Sequence, residues 1–189
     1  MSTSTTTGFT TIDTARAVGA LQWATIRLFE LLGGWVSIPD DPFSTVWLAT
    51  ASRHIGSHVR QLAEVMPDSE LLVPVTVVAP ASPELSDALD SMDTAARDAA
   101  TEGILVLATA RALIERLAAD CDLVLELCAS HCDGPLARVV TALGTDLSDD
   151  VAAADTLIGG VEVDPGHDPA RVAPRFLPEV LRAADVADR

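Results

Sequence analysis

Residues Leu136–Ile158, LARVVTALGTDLSDDVAAADTLI, decide the fold. Leu136, Val140, Leu143, Leu147, Val151, Ala154 and Ile158 recur at steps of three and four. That period puts all seven on one stripe of an α-helix, the pattern of a helix packed lengthwise against others. Gly134-Pro135 before it and Gly159-Gly160 after it set its ends.

Three further long helices are predicted upstream. Asp13 can cap a helix to about Trp35, with Val18, Leu21, Ile26, Phe29, Leu32, Trp35 and Val36 apolar. Asp40-Asp41-Pro42 is a second start signal, a cap followed by Pro at the first helical position. The helix it opens runs to about Met66 with Val46, Leu48, Ile55, Val59, Leu62 and Val65 as its buried stripe, and Pro67 stops it. Leu71–Val78 (LLVPVTVV) reads as an extended segment over the helices, because Pro74 removes a ladder donor; a lone strand is the alternative. Ser82-Pro83-Glu84 opens a short helix, and a long one follows from about Thr101 to His131.

Four long helices with one longer crossover predict an all-α four-helix bundle over residues 12–160. The crossover carries the extra short helix. Residues 1–11 read as a disordered Ser/Thr tail, and 161–189 as an irregular Pro-rich extension with a short helix near Pro178–Ala187.

Composition narrows the partners. The 189 residues hold 28 acids against 12 bases, all of them Arg, for a formal charge of −16. Affinity for nucleic acid and anionic membranes rests on Lys and Arg contacts, so neither is an expected partner. The start, Met1–Gly8, has no basic and apolar leader pattern, and no apolar run approaches the ~18 residues of a spanning helix. A cytoplasmic protein is expected.

Arg53-His54-Ile55-Gly56-Ser57-His58 carries the main chemical signal. His54 and His58 share a helix face, with Cβ atoms ~5–6 Å apart. No acid lies within four residues of either, so a carboxylate partner has to come from another helix. Glu30, across the first hairpin, is the candidate, although its axial offset from His54 is roughly 9 Å. Two readings stay open. His54, His58 and Glu30 form polar groups of a metal-free pocket for a small apolar ligand, with an imidazole beside a carboxylate for acid–base work. Alternatively His58, His54 and Glu30, joined by Glu102, Asp146 and Asp150, hold iron or manganese.

Cys121, Cys128, His131 and Cys132 are a second cluster, read as small buried hydrophobes in an Ala-rich helix, with Zn or Cu(I) as the alternative. Gly166-His167-Asp168-Pro169 reads as a turn. A homodimer through an apolar helix face is compatible with the pattern, but no separate stripe demands one.

LQWATIRLFELLGGWV (21–36) followed by ATASRHIGSHVRQLAEVMP (49–67) resembles the first helix pair of ferritin-like proteins, in particular a diverged actinobacterial branch. CDGPLARVVTALGTDLSDD (132–150) similarly resembles the start of that branch's last helix. Ferritin-like di-iron proteins take a Glu from each of two helices and a Glu-x-x-His from each of the other two. Under this resemblance His58 matches a motif His, but Ile55 stands where the motif has its acid. Thr25 aligns with an acid of the first helix. The third helix offers only Glu102, Glu115 and Glu126, and no His follows Asp146, Asp149 or Asp150 at the motif spacing. The resemblance thus implies the family's bundle with a degenerate di-iron site and no bound cofactor.

Overall fold

Thr10 starts the first helix by a reciprocal cap: its hydroxyl oxygen accepts the Asp13 N–H at 3.2 Å, and the Asp13 carboxylate accepts the Thr10 N–H at 3.3 Å. This arrangement satisfies two donors that a bare helix end leaves open. Asp13 therefore sits inside the first turn, and Thr10 is the cap. Asp41 accepts from the N–H groups of Phe43 and Ser44 at 3.0 and 2.9 Å and starts the second helix with Pro42 at its first position. Hydrogen bonds from Ser44 hold the Asp41 carboxyl below its ordinary range, which keeps the cap ionised.

The structure is a computed structural model that describes residues 10–68, 77–98, 103–128, 133–159, 173–179 and 181. Among these the helices are α1 (Thr11–Trp35), α2 (Pro42–Glu64), α3 (Pro83–Asp98), α4 (Gly103–Leu127) and α5 (Gly134–Ile158), with no strand. The N-terminal tail, residues 71–76 of the LLVPVTVV segment and the Gly166–Pro169 turn lie outside the described residues. So does most of the C-terminal extension. None of the described helices is long and apolar enough to cross a membrane.

Named contacts fix the helix directions. A Cβ at Gly33 would lie 3.2 Å from Ser52 Oγ, while Gly56, one turn further along α2, faces the ring of Phe29, one turn earlier on α1, so α1 and α2 run antiparallel. Arg111 of α4 bonds Asp155 of α5 at 2.8 Å, while Gly144 faces Cys121, so these two are antiparallel as well. Trp47 donates its indole N–H to the Asp150 carbonyl at 3.0 Å, and His58, further along α2, meets Asp146, earlier on α5, so α2 and α5 are antiparallel too. It follows that α2 and α4 point the same way, and the link between them has to return along the length of the helices. That link carries α3. It is pinned to α1 by Trp35 donating to Asp93 at 2.8 Å and by an Arg27–Asp90 ion pair. Burial alone would raise the Asp93 carboxyl, but hydrogen bonds from Arg97 and Trp35 hold it below its usual range.

The core runs between α1, α2, α4 and α5. Leu21, Leu28, Leu32 and Trp35 of α1 meet Leu48, Ile55 and Leu62 of α2, with Leu107, Leu113 and Leu117 of α4 and Val140, Leu143 and Leu147 of α5. Gly19 has a specific task, since a Cβ there would lie 2.1 Å from the Val77 carbonyl oxygen. Val77 thus packs directly on the α1 backbone.

Two expectations change. Val46, assigned from sequence to the buried stripe of the second helix, is 64% exposed, and Phe29, one of the apolar residues of the first, is 46% exposed. Conversely, part of the tail belongs to the core: Phe176 and Leu177 are fully buried, and their N–H groups donate to the Asp120 carboxylate at 2.8 and 3.2 Å. A buried carboxylate on α4 is the anchor of the C-terminal segment.

Candidate functional site at the α2–α5 seam

Antiparallel α2 and α5 bring two i, i+4 pairs face to face. His54 Nδ1 lies 3.0 and 3.2 Å from the two carboxylate oxygens of Asp150, and His58 Nε2 lies 2.7 Å from Asp146 Oδ2. The register is forced: His58 is one turn further along α2, and Asp146 one turn back along α5. The Trp47–Asp150 bond fixes that register from two turns earlier on α2.

Each dyad joins a buried group to an accessible one. The His54 side chain is 37% exposed and that of Asp150 only 7%; the His58 side chain is 4% exposed and that of Asp146 is 45%. Burial pushes the Asp150 carboxyl above its usual range. The hydrogen bond and charge of His54 oppose this, while Asp146 and Asp149 add to it.

His58 has a further property. Its Nδ1 is shut off from solvent and has no hydrogen-bond partner among the described residues. An ionised Asp146 accepts the Nε2–H, and in the neutral ring the lone pair then sits on Nδ1. Buried polar atoms are ordinarily paired, so the bare Nδ1 is an open acceptor. Ile55 and Leu62, one turn to either side on the same face of α2, are core residues, so the ring sits on the core-facing side of the helix.

Glu30 is not part of this constellation. Its carboxylate pairs with Arg27 at 3.4 Å and lines an outer groove with Phe29, Ser52 and Arg53. Ser52 faces α1, and His54, two residues on, points ~160° away from it around α2. The expected Glu30–His54–His58 site is therefore corrected: the acids that meet the imidazoles are Asp146 and Asp150. Glu102 falls outside the described residues, Glu115 pairs with Arg111 at 2.5 Å, and Asp149 is exposed.

The donor set does not fit a dimetal centre of the family type. Thr25 is fully buried and spends its hydroxyl on the Leu21 carbonyl at 2.6 Å, and Ile55 is a core residue 1% exposed. The histidines and aspartates couple as two separate dyads. Among the described residues no group of three or more His, Cys, Asp or Glu is placed to hold a metal ion. Cys121 is fully buried and Cys128 half-buried, both as free thiols. Burial raises both, that of Cys128 to about 11 with help from Asp133, so they are protonated at neutral pH. His131 and Cys132 lie outside the described residues.

Sequence reasoning named Asp146 and Asp150 only as metal ligands. Their i, i+4 spacing, equal to that of His54 and His58, was the available signal for two hydrogen-bonded pairs across one seam. No comparable signal marked Asp120, which shares its stretch of α4 with Asp122 and Glu126. No family model matches the chain, and neither do any curated protein or solved structure.

Proposed function

We propose that the chain is a ferritin-like four-helix bundle whose di-iron site has degenerated into the two His–Asp dyads. In this reading the seam binds a small apolar molecule carrying one O–H or N–H donor, without a resident metal. The bundle assignment is supported by the helix directions, two antiparallel hairpins joined by one crossover, the connectivity of ferritin-like folds. The bare Nδ1 of buried His58 carries the binding assignment.

Asp146 orients the ring through Nε2 and leaves Nδ1 as hydrogen-bond acceptor, the arrangement by which a carboxylate sets the tautomer of a general base. A donor group reaching Nδ1 would satisfy it while the rest of the ligand stays in apolar surroundings. Half-exposed Asp146 and His54 are the outer members of the dyads, and a ligand enters by parting them. The same geometry serves an accessory binding protein or a cofactor-free enzyme that takes a proton from its ligand.

Phenol and anisole test this reading, since they share a ring and differ in the donor. By calorimetry, phenol should bind at least ~10-fold more tightly than anisole, because a site built around a hydrogen bond rejects the analogue lacking it. His58→Phe should abolish the difference. Equal affinities, or no binding of either, contradict the proposal. Elemental analysis of protein purified without chelator addresses the alternative. Stoichiometric iron or manganese that disappears in a His54→Ala/His58→Ala variant would replace this reading with a metal-dependent one.

A further inference from the structure

The large exposed hydrophobic residues among those described are Ile12, Phe29, Phe43 and Val46, and all four belong to α1 and α2. Phe43, Val46, Ala49 and Arg53 follow one another at steps of three and four, a single stripe on the outside of α2. Next to it, Ile26, Phe29 and Glu30 of α1 and Ala49, Arg53 and Val59 of α2 line an open groove of about 500 Å³. The Phe29 ring lies over Gly56, where a Cβ would be 2.7 Å from it. Gly56 thus leaves room for the ring against α2.

Charge separates the α1–α2 pair from the rest of the chain. Residues 11–64 hold five carboxylates and four arginines, whereas the rest of the chain holds twenty-three and eight. A net charge of −16 makes copies of this protein repel one another over most of their surface. The α1–α2 pair is nearly neutral, and it is also where large apolar side chains are exposed among the described residues.

We infer that the α1–α2 face is the interface of a homodimer, with a second copy seated on it about a two-fold axis. Such an axis makes the interface self-complementary, each residue meeting the one that its partner residue meets in return. The groove holds one acid on α1, Glu30, and one base on α2, Arg53. Arg53 forms no ion pair among the described residues, and the two-fold sets it against Glu30 of the second copy. With 25-residue α1 the face is ~37 Å long and two helices wide, comparable with the ~800 Å² per partner of a stable interface. A strongly basic partner would be drawn to the acidic remainder of the chain, whereas the groove, with its one acid and one base, is self-complementary.

Sedimentation velocity on the full chain tests this inference independently of the ligand proposal. The wild type is expected to sediment as a dimer at ~100 μM, and Val46→Glu as a monomer with unchanged helical circular dichroism; Val46 is exposed, so the change spares the core. Arg53→Glu should weaken the dimer ~10-fold or more, and Arg53→Glu combined with Glu30→Arg should restore it. A wild-type monomer, a dimer indifferent to Val46→Glu, or a double variant no better than Arg53→Glu overturns the proposal.

Discussion

His58 gives its Nε2 to Asp146 at 2.7 Å and keeps its Nδ1 bare, so the two nitrogens of one buried ring have opposite fates. Asp146 sits 45% exposed at the rim, which leaves the one polar link of the buried ring among the described residues within reach of solvent. A ring placed this way should draw most of its contribution from packing and a smaller, separable part from its partner. In a double-mutant cycle, His58→Ala should cost ~2–3 kcal/mol from lost burial, Asp146→Ala ~1 kcal/mol, and their coupling ~1 kcal/mol. Urea unfolding of the four proteins measures this; zero coupling would mean the dyad adds nothing to the packing.

Asp150 gives a pH dependence of defined sign. Burial raises its carboxyl above the unfolded value, so the native state holds that proton to higher pH than the unfolded chain does. Its contribution is then fully present below the unfolded pKa of about 4 and is lost as pH rises through the folded value. Asp150→Asn removes this loss while keeping an acceptor for His54. Between pH ~4 and ~6 the stability of the variant relative to wild type should therefore rise with pH. Stability curves in urea at several pH values measure it, and a relative fall would contradict the assignment.

The C-terminal anchor is testable by itself. Asp120→Ala leaves the buried N–H groups of Phe176 and Leu177 without their acceptor, at a cost of ~2–3 kcal/mol, whereas Asp120→Asn, which keeps one oxygen, should cost less. Amide exchange at Phe176 and Leu177 should accelerate in the Ala variant before that of α1 or α2.

Gly19 is held small by a backbone neighbour. An added Cβ would stand 2.1 Å from the Val77 carbonyl oxygen, so Gly19→Ala should destabilise by ~1–3 kcal/mol despite the better helix propensity of Ala. A thermal melt suffices to read it.

The helices were legible because their signals are local. The Leu136–Ile158 period, the Asp41-Pro42 start and Pro67 act within a turn or two, and the structure has α5, α2 and its end accordingly. What escaped depends on neighbours far along the chain. Which face of α2 meets α1 and which meets α5 is set by pairs such as Ser52–Phe29 and Trp47–Asp150, so Glu30 was given to the imidazoles and Val46 to the core. Phe176 sits in a Pro-rich stretch without helical period, and its burial rests on Asp120, 56 residues upstream.

The most direct test of the site is nitrogen-15 NMR of the histidine rings at pH ~8.5, well above the ordinary imidazole range. His58 should appear as the Nε2–H tautomer with an unprotonated Nδ1, and titration with phenol should move that Nδ1 resonance while leaving His54 nearly unchanged. A Nδ1–H tautomer at His58, or a Nδ1 signal that ignores saturating phenol, would contradict the account.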